Sequence, residues 1–208
     1  MAIPAWKKAI AEFIGAFTLV FIGAGAIIST GGRDLLLVAL AHGLAIGVMV
    51  SAFARISGGH FNPAVTIGAL VAALALFGIF PSSVWQPVHL GTPALGTTAN
   101  LGWDVSVGTG ILVEAILTFL LVFVIYGTGI DPKGTFNAVG GFAIGLTVAI
   151  DIMMGGPLTG AAMNPARWFG PAVVAGFFDN WYVYWVGPFI GAVVAGLLYA
   201  NVFLEKSS

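Results

Sequence analysis

Two asparagines, each followed by proline and alanine, are the residues whose type and setting could do chemistry: Asn62-Pro63-Ala64 and Asn164-Pro165-Ala166. An Asn side chain accepts from backbone N–H groups at a helix start, and Pro is pre-set for the first helical position. Each motif therefore predicts a helix beginning. The apolar stretch behind each is about ten residues, half of the roughly 20 that a membrane crossing takes. The expectation is a pair of half-helices, over 63–72 and 165–175, dipping in from re-entrant loops. Non-helical backbone at that depth is tolerated only where it is buried in protein or lines a wet cavity. On that reading the carbonyls of Gly58, Gly59, His60 and Phe61, and those of Gly160 to Met163 (Ala162 between), line a pore as acceptors.

Other chemistry is poorly provided for. The chain has no cysteine, its three histidines (His42, His60 and His89) are scattered, and neither H-E-x-x-H nor G-x-S-x-G occurs. Neither an enzyme, a metal site nor a cofactor is expected. A net charge of −1 without a basic run leaves nothing to neutralise phosphates, so no nucleic-acid partner is expected.

The elements that must position the motifs are membrane helices. Of 208 residues 59% are hydrophobic and only 7% charged, against about 25% charged in soluble domains. Apolar runs predict transmembrane helices over 9–28, 35–53, 107–126, 138–154 and 181–203, without the period-two alternation of a membrane β-barrel. Of the 30 glycines 13 lie within these runs, and Gly43/Gly47 and Gly141/Gly145 have the four-residue spacing that lets helices approach. Lys7, Lys8, Lys133 and Lys206 place both termini, and hence the N-terminus, in the cytoplasm by the positive-inside rule. That implies an even number of crossings.

The chain also repeats, at an offset of 102 residues. Glu12 matches Glu114, Phe17 matches Phe119, Gly43-Leu44 matches Gly145-Leu146, Ser57-Gly58 aligns with Thr159-Gly160, and the two Asn-Pro-Ala motifs coincide. The repeats are thus residues 1–106 and 107–208. An odd number of crossings per repeat inverts one against the other. Two half-helices then meet near the midplane with their positive N-terminal ends converging. Such a field repels cations and orients a file of water oppositely on its two sides, which hinders proton transfer. The amides of Asn62 and Asn164 would donate to the central water.

In Ser-Gly-Gly-His-Phe-Asn-Pro-Ala-Val-Thr (57–66), Gly-Ala-Ala-Met-Asn-Pro-Ala-Arg (160–167) and the Phe169-Gly170-Pro171 that follows, the sequence resembles the aquaporin, or major intrinsic protein, family over nearly its whole length. The resemblance implies an all-α inverted repeat and a four-residue selectivity filter at His42, Ile152, Ala161 and Arg167. It implies that Glu12 and Glu114 hold the loop backbone. The filter set looks like the plant tonoplast type, which passes water and in some members ammonia or urea. His89 looks like a loop histidine of ammonia-passing members. Trp168, where glycerol facilitators usually have Asp, makes glycerol a minor alternative. Relatives form homotetramers in the bilayer, one pore per subunit.

One segment departs from the pattern. By the offset, residues 79–101 should be a crossing, yet Pro81 to Pro93 cannot be one. Between Pro63 and Phe80 only 18 residues are left for a half-helix and a third span. The expectation is a deleted or truncated third span (72–80) followed by an extended loop (81–106), or else one helix over 63–80 that does not end halfway. A non-conducting membrane scaffold is the alternative function this departure raises.

Overall fold

The computed structural model describes residues 3–60, 66–134 and 139–204. Phe61, Asn62, Pro63 and Ala64, and with them the first motif, lie outside the described residues.

Long apolar runs become helices because only an internally hydrogen-bonded backbone is affordable in lipid. They are α1 (Ala5–Thr30), α2 (Leu35–Ser57), α3 (Thr66–Ile79), the short α4 (Ser82–Trp85) and α5 (Thr98–Leu101), α6 (Val107–Ile125), α7 (Gly141–Thr159), α8 (Pro165–Ala175) and α9 (Val183–Leu198). α6 and α9 run on through π turns to Ile130 and Phe203. Polar side chains start them locally: Asp34 accepts from the N–H of Leu37 (2.9 Å) and Ser106 from that of Thr109 (3.1 Å). Among the described residues five helices are long and apolar enough to cross a membrane: α1, α2, α6 with its extension, α7, and α9 with its extension.

The two repeats meet where α2 crosses α7. A Cβ on Gly43 would lie 2.5 Å from the Gly145 carbonyl oxygen, and one on Gly47 would lie 3.2 Å from that of Gly141. Gly43 and Gly145 are equivalent by the 102-residue offset, so the crossing lies on the axis relating the halves. Since 43 meets 145 while 47 meets 141, α2 and α7 run antiparallel. The repeat is inverted.

α3 explains how the chain manages with a shortened first half. Residues 66–79 form one unbroken helix, which matches the second of the two expectations, one helix that does not end halfway, rather than a half-helix ending at 72 and a separate truncated span over 72–80. In the second half, Gly191 of α9 lies against α6, a Cβ there falling 2.8 Å from the N of Phe119 and also against the Ala115 carbonyl. In the first half, Gly68 of α3 lies against α1, 2.5 Å from the Phe13 oxygen and 3.2 Å from the Phe17 nitrogen. Phe13 and Phe17 are the offset equivalents of Ala115 and Phe119. The equivalent of Gly191 is residue 89, yet residue 68 stands in its place, a difference of 21 positions. α3 then follows α1 upward, packing Ala69, Ala72, Ala73 and Leu76 against Val20, Ala24 and Ile28. It thus takes the third span's place, parallel to α1, with 14 residues that rise about 21 Å. A 120° bend follows, and the segment Ser82–Gly91 lies back across the top. Counting α3 with that bent segment as one span brings the total among the described residues to six.

Candidate functional site

The second loop is built around one carboxylate. Glu114 on α6 is wholly buried and accepts from the Thr159 hydroxyl (2.6 Å), the Ala162 N–H (2.9 Å) and the Met163 N–H (2.8 Å). The Thr159 hydroxyl oxygen also accepts from the Ala161 N–H (3.1 Å). Gly160, Ala161 (φ 46°) and Met163 (φ 50°) are all left-handed. For the two non-glycines this costs of order 1–3 kcal/mol each, held in place by the Glu114 bonds. With their N–H groups drawn to Glu114, the peptides turn carbonyls the opposite way. Ala162, Met163 and Asn164 line a cavity of about 650 Å³.

The first loop repeats this construction as far as it is described. At the offset positions the Ser57 hydroxyl accepts from the Gly59 N–H (3.2 Å), and Glu12 accepts from the His60 N–H (3.0 Å). The His60 ring also stands over Glu12, Nδ1 to Oε1 3.5 Å. Gly58, Gly59 and His60 line the same cavity.

Asn164 caps α8. Its Oδ1 accepts from the N–H groups of Ala166 (2.9 Å) and Arg167 (3.4 Å), with Pro165 at the first helical position. This turns the amide nitrogen away from the helix axis. It also delivers Arg167, one turn in, to His42 of α2: Nη2 to Nε2 is 2.9 Å. His42 Nδ1 lies 2.8 Å from the Val38 carbonyl oxygen, which can only accept. The proton is therefore on Nδ1, and Nε2 accepts from the guanidinium. Both side chains are buried, 1% and 5% exposed, yet Arg167 Nε and Nη1 have no protein partner. Ile152 lines the cavity beside them; Ala161, wholly buried, does not.

The structure does not bring His89 to this group. Its ring stacks on Phe177 (centroids 3.8 Å apart, 12° between planes), outside the cavity lining. A residue of that loop that does touch the site is Pro93, which sequence reasoning missed. Its Cα would be 2.7 Å from a Cβ on Gly160, and its oxygen accepts from Trp168 Nε1 (3.2 Å). Trp168 also stacks on Tyr184, so it ties the 92–96 loop onto α8. Asp151, Thr118 and Tyr184 are further buried polar residues, each with an oxygen that no protein group bonds. Asp151 could have been flagged as an acid inside an apolar run, next to Ile152.

An inverted bundle of apolar helices, with a cavity between its halves that Arg167, His42 and Asn164 reach and a capped half-helix pointing its N-terminus inward, has the architecture of a membrane channel. The comparisons agree. The family model described as major intrinsic protein matches residues 1–77 and 67–199, so that 67–77 match twice. Aquaporin TIP4-4 of Zea mays is 41% identical over 227 residues, covering 96% of this chain and 88% of that one. Aquaporin TIP2-1 of Arabidopsis thaliana is 41% identical, covering 95% and 88%. The aquaglyceroporin of Plasmodium falciparum superposes with a TM-score of 0.82 at 24% identity, covering 95% and 96%, which speaks to the fold. The chain belongs to the major intrinsic protein, or aquaporin, family and is an integral multi-pass membrane protein. Since 96% of 208 residues is about 200, some 27 of the 227 positions aligned with the maize protein are gaps in this chain. The doubly matched 67–77 fall on α3, the helix that carries the 21-position displacement of Gly68.

Proposed function

We propose that this chain is a passive water channel that excludes ions and protons, with ammonia or urea as second permeants. One observation carries it: the buried guanidinium of Arg167, with Nε and Nη1 unpartnered by protein. An unmet buried donor costs about 1–3 kcal/mol, and more when charged. Water passing the filter meets that need, and the fixed positive charge repels cations. Carbonyls turned inward by Glu114 and Glu12 then hand the water toward Asn164. The filter is His42, Ile152 and Arg167, with Ala161 shaping its backbone. Asn62, Pro63 and Ala64 are assigned the matching role by the repeat. The direct His42–Arg167 bond leaves little room for a polyol, so glycerol ranks last. A homotetramer with a cytoplasmic N-terminus follows from kinship and from the lysine pattern.

Osmotic shrinkage of proteoliposomes, followed by stopped-flow light scattering, tests the proposal. Folded protein is expected to shrink vesicles several-fold faster than empty liposomes; equal rates would overturn it. Equal rates would favour the second reading, a non-conducting scaffold, which the presence of a single half-helix, α8, among the described residues supports.

A further inference from the structure

Gly68 and Gly170 hold the same place in the two repeats but not in the bundle. Gly170 of α8 packs on Ala69 of α3, a Cβ there falling 2.7 Å from the Ala69 carbonyl carbon. By the inverted symmetry, a half-helix of the first repeat should pack on the matching part of α9. Ala69 stands 21 positions early for its third-span role, so its match on α9, at the repeat offset, is Ala192. α3 packs on α1 instead. The α9 face around Ala192 therefore opens into the pore cavity, with Trp185, Pro188 and Phe189 beside it and Val122 and Ile125 of α6 opposite. At about 30 Å³ per molecule, the 650 Å³ cavity holds some twenty waters, far more than a single file needs.

We propose that one acyl chain of a bilayer phospholipid lies in this slot. Its headgroup sits at the mouth, where Arg55 lines the same cavity and is exposed. Three features suit this occupant: an apolar wall from two spans, a position at hydrocarbon depth, and a cation at the open end. Phe189, at the edge of the slot, is 71% exposed. Water against this wall forfeits the roughly 25 cal/mol per Å² that hydrocarbon contact recovers. The tail serves as the pore's missing side, and the site exists whether or not the chain conducts.

The absence of native cysteine makes the test clean. Ala192→Cys is spin-labelled in the full chain, in palmitoyl-oleoyl phosphatidylcholine and phosphatidylglycerol vesicles, and its collision rates with oxygen and with a water-soluble nickel chelate are compared. The expected result is high oxygen and low nickel accessibility, with the oxygen signal falling several-fold when Val122→Trp fills the slot. A label as open to nickel as one at residue 60 means a water-filled chamber and overturns the proposal. A label closed to both reagents means the slot is packed with protein, and overturns it equally.

Discussion

At the scale of single residues, the filter depends on a glycine that touches no permeant. A Cβ on Gly23 of α1 would overlap the His42 ring, so Gly23 is what lets that ring reach Arg167. Gly23→Ala should displace the ring, lower water flux and cost about 1–3 kcal/mol of stability as an overpacked site; flux and thermal melting read the two effects separately. Glu114→Ala strands the Thr159 hydroxyl and two backbone N–H groups at about 1–3 kcal/mol each. It should lower the melting temperature more than Glu12→Ala, because the Glu12 side chain retains 13% exposure and its neighbourhood can take up water. A smaller loss for Glu114 would argue against a scaffold role. Arg167→Val should let monovalent cations or protons through where the native chain does not; an unchanged leak, read by an entrapped dye, would count against the filter assignment.

At the scale of elements, α3 and α8 show what the sequence could and could not disclose. α8 was legible down to its bounds, because Asn164 and Pro165 start it and Gly176, with φ 66°, stops it. α3 was not. Thr66–Ile79 is uniformly apolar, and nothing in its composition tells a half-helix from a short crossing. What decides is where Gly68 packs, a tertiary fact that shows in sequence only as lost length. His89 misled for a similar reason: its place in a family-like loop says nothing of Phe177, on which it stacks. The packing gives a test. Gly68→Val should force α3 off the Phe13 carbonyl and cost about 1–3 kcal/mol or more. Gly78→Val, at a position where a Cβ meets nothing within 4 Å, should be near neutral; the contrast in thermal melting checks the placement.

At the scale of the molecule, the odd number of long helices is reconciled with an even number of crossings only if α3 traverses. Val88 then lies on the same side as the α1–α2 turn, and it does approach Gly32, within 3.8 Å of a Cβ placed there. In the cysteine-free background, Ser83→Cys and Gly32→Cys should be labelled by an impermeant maleimide from one side of the membrane, and Lys8→Cys from the other. Labelling of Ser83→Cys together with Lys8→Cys would mean that α3 turns back. The larger claim is that a bundle with one capped half-helix and a His42–Arg167 filter still passes water and not protons. Both fluxes can be measured in the same vesicles, by osmotic shrinkage and by an entrapped pH dye. Water flux is expected well above that of empty liposomes, with proton leak at their level. No excess water flux, or water accompanied by protons, would contradict it.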